Sequence, residues 1–303
     1  MRWTTIPAAL RDEANNLFYR IPGLNPRLER WFDYHVIRHR YHRAFGEYPN
    51  LESPRTFSEK VIYKRLYDRR PLLTRVADKV RVRDFVAERI GAECLPEMMA
   101  VNRDPAAIDW ASLPARFVAK ANHGSGYNIV VNGRTAFDRL ATVSRLRGWI
   151  DSSFYTYSRE WCYRDIEPLA FIEEFLKGED GGLPDDWKFF VFGGKARYVQ
   201  VDTGRDKAHR HSFYRMDRSR VRVRSFVDDR DRDPVWPANF ETMVRFAETL
   251  GAEFDFIRAD FYNIDGRIVF GELTNYPHAG LMPFEPASVD LEFGSHWALL
   301  ERY

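Results

Sequence analysis

Cysteine is scarce in this 303-residue chain, which has only Cys94 and Cys162, far apart in sequence. So sparse a set does not make a disulfide scaffold and suits a reducing compartment. Neither sign of charge is in excess. Lys and Arg number 46 against 44 Asp and Glu, a formal net charge of +2, so no bulk field recruits nucleic acid. No apolar run reaches the roughly 18–20 residues that cross a bilayer. Residues Met1 to Arg20 lack the basic-then-apolar order of a secretion signal. Internal repeats, low-complexity tracts and long linkers are missing as well. These absences predict a soluble, cytoplasmic chain. What is plentiful is core-forming material, 45% hydrophobic and 15% aromatic. The length suits one large domain or two to three lobes, at roughly 100–200 residues each.

Local signals divide the chain. Residues 1–50 are aromatic and basic, with the run Arg38-His-Arg-Tyr-His-Arg43. That run reads either as a solvated helix face or as a contact for an anionic membrane surface or polyanionic glycan. Thr56 and Glu59 form a capping box ahead of a helix to about Asp68. A helix from Asp78 carries Val82, Phe85, Val86 and Ile90 at helical spacing, and Gly91 stops it. Cys94 to Val101 reads as a strand, and Asp104-Pro105 caps a short helix. Further on, a helix is expected over Ala136–Asp151 and a strand over Leu169–Leu176. Trp187–Phe192 and Ala196–Asp202 make a hairpin over Gly193-Gly194. Helices over Asn239–Leu250 and Ser288–Tyr303 complete the pattern.

The stretch Arg258 to Asn275 stands out. Aromatic and β-branched residues flank Asp265-Gly266, which predicts two strands and a short turn. Arg258, Asp260 and Tyr262 share one face of the first strand. A cation and carboxylates among apolar strand residues are costly to bury unless they pair or bind a metal. A two-residue loop would set Asp260 and Glu272 on opposite faces. A three-residue loop of Ile264, Asp265 and Gly266 pairs Asn263 with Arg267 and sets Arg258 opposite Glu272, with Asp260 diagonal. The three-residue loop is therefore expected, placing both carboxylates within reach of one hard cation. A surface hairpin with an Arg–Glu pair is the plainer alternative.

A second signal is Lys120-Ala-Asn-His-Gly-Ser-Gly126, between two extended runs. Its glycines allow backbone N–H groups to turn together toward an anion, and Ser125 adds a hydroxyl donor. Strand, glycine loop, strand is neither a dinucleotide fingerprint nor a Walker loop; a flexible hairpin over nucleotide phosphates fits, as does a plain β-turn. With Lys79 at a helix start and Glu173-Glu174 on a strand, the chain holds the cations and carboxylates that phosphoryl transfer requires. Arg205-Asp-Lys-Ala-His-Arg-His211 is a polar loop able to hold an acidic substrate, or simply exposed.

Read in order, D-K plus helix, K-x-x-x-G-S-G, E-E-F-L, R-x-D and E-x-T-N after a D-G turn resemble the ATP-grasp superfamily. Pro54-Arg-Thr-Phe-Ser-Glu-Lys60, Ala77-Asp-Lys-Val-Arg-Val-Arg83, Asp186-Trp-Lys-Phe-Phe190 and Gly271-Glu-Leu-Thr274 are similar to the TupA-like family. That family is associated with teichuronopeptide and surface-polysaccharide synthesis. The resemblance covers about residues 40–303 and implies an α+β, three-lobed ATP-grasp fold with nucleotide between two mixed or antiparallel sheet lobes. An N-terminal helical extension (1–75) would precede an N-terminal lobe (76–115), a central lobe (116–172) and a C-terminal lobe (173–303).

The same resemblance implies ATP and Mg2+ as cofactors. Lys79 and Lys120 would contact phosphates, and His123, Gly124, Ser125 and Gly126 would cover them. Glu173, Glu174, Phe175 and Leu176 would meet adenine, with Asp186 or Lys188 at ribose or phosphate. Asp260 and Glu272 would ligate Mg2+, with Arg258 and Lys120 as catalytic residues. Thr274 stands where many relatives have a metal-binding Asn, so either Thr274 or Asn275 is the expected third ligand. The implied chemistry is carboxylate–amine ligation on small-molecule or glycan-linked substrates. Apart from the resemblance, the polar loop offers Arg205, His209 and His211 as expected anchors for the acid. A kinase acting on a sugar hydroxyl and a non-catalytic nucleotide- or glycan-binding module remain the alternatives.

Overall fold

The structure, a computed structural model, describes residues 26–133, 135, 137–178, 181–204, 209–223 and 233–300. Helix α1 (Pro26–Phe45) lies first, then α2 (Phe57–Tyr67), α3 (Pro71–Ala77) and α4 (Val82–Ile90). Both halves of the Thr56/Glu59 capping box form at the start of α2, and Gly91, at φ 98°, ends α4. The basic run is only partly solvated. Within α1, Ile37 and Tyr41 are buried, and Arg40 donates to the carbonyls of Tyr157 and Ser158. His42 stacks on Tyr48.

Four strands, β1 (Met98–Asn102), β2 (Arg116–Ala121), β3 (Asn128–Asn132) and β4 (Ala170–Glu174), form a small sheet in the order β1-β4-β2-β3. Strand β1 begins later than expected because Ala92–Cys94 forms a 3-10 turn. Strand β4 ends at Glu174, so Phe175 and Leu176 lie beyond it. Helix α5 (Arg139–Ile150) contributes Val143 and Leu146 to the core of this sheet, beside Trp110 and Phe117. A short α6 (Phe154–Ser158) follows.

The larger sheet comprises β5 (Asp186–Phe192), β6 (Lys195–Thr203), β7 (Arg210–Arg215), β8 (Arg220–Val221), β9 (Phe256–Ile264) and β10 (Arg267–Thr274). Its order is β10-β9-β5-β6-β7-β8, and its pairings are antiparallel. Gly193 and Gly194 both take positive φ and close the β5–β6 hairpin. Helix α7 (Phe240–Gly251) and helix α8 (Ser288–Ser295), which stops short of the expected end, cover it. Phe57 on α2 packs against Phe190, Phe192, Phe256 and Phe293, tying the N-terminal helices to this sheet. Each such buried ring contributes about 1.5–3 kcal/mol. Mixed helices and antiparallel sheets make this an α+β fold.

The β9–β10 hairpin corrects the expected loop. Asp265 (φ 50°) and Gly266 (φ 81°) form a two-residue turn, and Ile264 pairs with Arg267. Strict alternation would then separate the two carboxylates. A register shift between Phe270 and Glu272 prevents this: Gly271 is a β-bulge that returns Glu272 to the face of Asp260. Glu272 consequently lies directly opposite Asp260, and Thr274 opposite Arg258. A side chain at 271 would place its Cβ 3.1 Å from the Asp260 carbonyl oxygen, so glycine suits the bulge.

Candidate active site

A cleft opens where residues of the two sheets face each other, lined by Lys79, Lys120, Glu173, Asp186, Asp260 and Glu272 among others. On the larger sheet, Arg258 lies between the carboxylates. Its Nε donates to Asp260 Oδ1 at 2.7 Å and its Nη2 to Asp260 Oδ2. Nη2 also reaches Glu272 Oε1 at 3.2 Å and Thr274 Oγ1 at 3.1 Å. The Thr274 hydroxyl in turn donates to Glu272 Oε1 at 2.9 Å. Burial opposes the charge of Glu272, but Lys79, Arg258 and Lys188 outweigh it and hold the carboxyl down at about 2. Burial pushes the Asp260 carboxyl up against the pull of Arg258 and Lys188, and Asp186 adds to the rise.

Lys188 stands opposite Asp260 on the neighbouring strand. Its Nζ lies 3.2 Å from Asp186 Oδ2 and 2.8 Å from Asp202 Oδ2. Thus Asp186 and Lys188 both join the acidic cluster. Asp202, missed in the sequence, faces His211 across the β6–β7 pair, and His209 Nε2 lies 3.4 Å from its Oδ2. Asp202, His209 and His211 bring one ligand atom each to within 4.8 Å of one another. The ammonium of Lys188 already engages that carboxylate, which argues against a second cation there. Arg205 lies outside the described residues.

Lys79 joins a helix start to the glycine loop. Asp78 Oδ1 accepts from Val80 N and from Asn122 Nδ2, both at 2.9 Å. Lys79 Nζ donates to Gly124 O at 2.7 Å, and burial pulls its pKa down while Glu272 opposes the shift. In the loop, a Cβ at Gly124 would sit 2.8 Å from the Tyr127 ring, and Gly126 takes φ 73°. Gly126 lines the cleft, and Ser125 is exposed. His123 turns inward instead: it is buried, with Nε2 3.0 Å from Trp149 O. A neutral ring that donates to this carbonyl keeps Nδ1 as an acceptor.

Two expected adenine contacts have protein partners. Glu173 pairs with the Lys120 ammonium, and Glu174 pairs with Arg267 at 2.9 Å. Asn275 is not at the metal cluster: it is buried, and its Nδ2 donates to Leu73 O at 3.0 Å. Alternation past Thr274 sends it to the other face of β10, leaving the Thr274 hydroxyl as the third oxygen beside Asp260 and Glu272. An all-oxygen set with two carboxylates on one face suits a hard cation such as Mg2+. Arg258 now occupies those carboxylates and would have to turn aside to admit one.

The model of the TupA-like ATP-grasp family matches residues 59–298. No curated protein sequence matches the chain. Among solved structures, it is similar to an N5-carboxyaminoimidazole ribonucleotide synthetase in complex with ADP. That likeness has 11% identity and a TM-score of 0.41, covering 69% of this chain and 47% of the other. A D-alanine–D-alanine ligase from Bacillus anthracis is 13% identical at a TM-score of 0.42, with coverages of 74% and 67%. The ATP-grasp ligase PsnB, complexed with a minimal precursor, is 12% identical at a TM-score of 0.37, with coverages of 68% and 53%. The chain spans about half the length of the synthetase and of PsnB. Among the described residues, no helix is long and apolar enough to cross a membrane.

Proposed function

The chain belongs to the TupA-like ATP-grasp family, and on that premise we propose that it is an ATP-dependent carboxylate–amine ligase working through an acyl phosphate. The observation that carries this reading is the set of Asp260, Glu272 and Thr274 oxygens gathered around Arg258, with Lys79 and Lys120 lining the same cleft. Mg2+ held by Asp260 and Glu272 would offset charge on the nucleotide phosphates. Lys79 and Lys120 hold the triphosphate, and Gly126 lets the loop backbone approach it. Arg258, released from the carboxylates, faces the transferring phosphoryl group and balances its charge.

The substrate carboxylate oxygen attacks the γ-phosphorus, and the bond to ADP breaks. The neutral amine nitrogen then attacks the acyl carbon, the C–O bond breaks, and phosphate leaves with the proton that the nitrogen sheds. Arg205, His209 and His211 anchor the acid in this account. The acid is an amino acid or a uronic acid, used in surface-polysaccharide or teichuronopeptide synthesis on the cytoplasmic side. The basic aromatic segment ahead of α2 supplies contact with the membrane or the envelope-assembly machinery.

Hydroxylamine tests the reaction type. Protein, Mg-ATP and a panel of amino acids and uronic acids should yield hydroxamate together with ADP. Phosphorylation of a hydroxyl without hydroxamate would establish the kinase alternative instead.

A further inference from the structure

Helix α1 has two faces of opposite character. The inner face is committed to the fold: Ile37 and Tyr41 pack with Leu51, Ile62 and Leu66, and Asp33 accepts from the Tyr155 hydroxyl at 2.7 Å. Arg40 donates from this side to the carbonyls of Tyr157 and Ser158. Glu29, the other carboxylate of the helix, lies 3.4 Å from Arg164 with most of its side chain covered. Both acids of α1 are thus turned inward.

The outer face keeps the cations. Arg27, Trp31, His35, Arg38 and His42 recur at intervals of three or four residues and share one stripe. Arg27, Arg30 and Arg43 are exposed, and Arg38 lies over the rings of Tyr34 and Tyr48. Among these cations stand two apolar side chains, Leu28 at 57% and Trp31 at 52% exposure. The first exposed carboxylate beyond the helix is Glu47. The result is a positive surface with protruding apolar groups, on a helix whose core contacts are already made.

The charge calls for an anionic partner, and the apolar groups decide which one. A polyanionic glycan or a nucleic-acid backbone gives Leu28 no reason to leave water. A bilayer accepts both kinds of group, with guanidinium groups among anionic headgroups and Leu and Trp at the boundary with the acyl chains. We propose that this face of α1 docks the protein on an anionic lipid bilayer, through Arg27, Arg30 and Arg43 together with Leu28 and Trp31. The inference commits to lipid where the functional reading above left membrane and assembly machinery open, and it does not depend on the ligase chemistry. Arg40 and Arg65 both donate to Ser158 O, and Arg65 also to Ala279 O in the turn after β10. The docking face is therefore tied to the lobe that carries Asp260 and Glu272, and docking sets how the cleft is held relative to the bilayer.

The test mixes the full chain, without nucleotide, with vesicles of equal parts phosphatidylcholine and phosphatidylglycerol, or of phosphatidylcholine alone, and reads co-sedimentation. Binding to the anionic vesicles alone is expected, weakening as salt rises. Arg27→Gln, Arg30→Gln and Arg43→Gln combined should weaken it about a hundredfold, roughly fivefold for each arginine. Leu28→Ser with Trp31→Ser leaves the charge unchanged and should weaken vesicle binding by about tenfold or more. Because these side chains are exposed, both variants should melt with the parent and release ADP at its rate in solution. Equal vesicle binding by the arginine variant overturns the inference. So does undiminished vesicle binding by the Leu28/Trp31 variant. Retention on dextran sulfate without vesicle binding also overturns it and marks a polyanionic glycan as the partner. ADP release is measured separately, so loss of the lipid contact leaves the ligase reading standing.

Discussion

Two buried ion networks lie a few residues apart in the chain, one at Asp255, just before β9, and one at Asp260 within it. At Asp255, Lys64 and Arg70 face Asp68 and Asp255, so two cations meet two carboxylates. Trp297 Nε1 closes the remaining oxygen of Asp255 at 2.8 Å. At Asp260, by contrast, two cations meet four carboxylates. Arg258 is shared by Asp260 and Glu272, and Lys188 by Asp186 and Asp202. The first network is neutral and closed by fixed donors. The second carries surplus negative charge and opens on the cleft. Burial of charge therefore does not mark a functional site by itself. An uncompensated set of acceptors reachable from a cleft does.

That contrast can be broken most forcefully at Lys64. Lys64→Met leaves Asp255 short of a partner and should cost about 3–5 kcal/mol in denaturant unfolding. Activity per folded molecule should stay unchanged. Glu272→Gln is the mirror case. Mg-dependent ADP release should fall by at least about 10²-fold, the scale of losing one transition-state electrostatic contact, while the melting temperature barely moves. Glu272→Gln losing stability while keeping its turnover would erase the distinction between the networks.

Gly271→Val should give an intermediate result. Its Cβ presses on the Asp260 carbonyl, costing about 1–3 kcal/mol and weakening ATP binding together with stability, because the bulge holds Glu272 in register. Loss of stability with unaltered ATP affinity would show that the bulge does not set the site. The smallest effect is expected at Thr56→Ala, where losing the cap removes about 1 kcal/mol. Thermal melting reads that loss, and ATP affinity should not follow it.

Much of this was legible in the sequence because it depends on short-range patterns. The Thr56/Glu59 box, the Gly193-Gly194 turn and the Asp265-Gly266 turn are each set by neighbouring residues. The loop length at Asp265 was misread for a physical reason. Alternation alone required an extra loop residue to bring Asp260 and Glu272 together, whereas the extra residue sits in the strand, at Gly271. A glycine inside a strand pattern was the available signal. Partner choice was less legible. Glu173 could face a base or a lysine, and only the antiparallel pairing of β2 with β4 brings it to Lys120. The left-handed turn at His278 and Ala279 was not legible because nothing in its neighbours announces it; Arg65, more than two hundred residues away in sequence, holds it.

The central claim is that Asp260 and Glu272 exchange Arg258 for a metal when nucleotide arrives. A crystal structure with Mg2+ and a non-hydrolysable ATP analogue tests it most directly. The account predicts Mg2+ bound by both carboxylates, with the Arg258 guanidinium moved onto the γ-phosphate. Nucleotide seated in the cleft while Arg258 still grips both carboxylates, or a metal bound elsewhere, would contradict it.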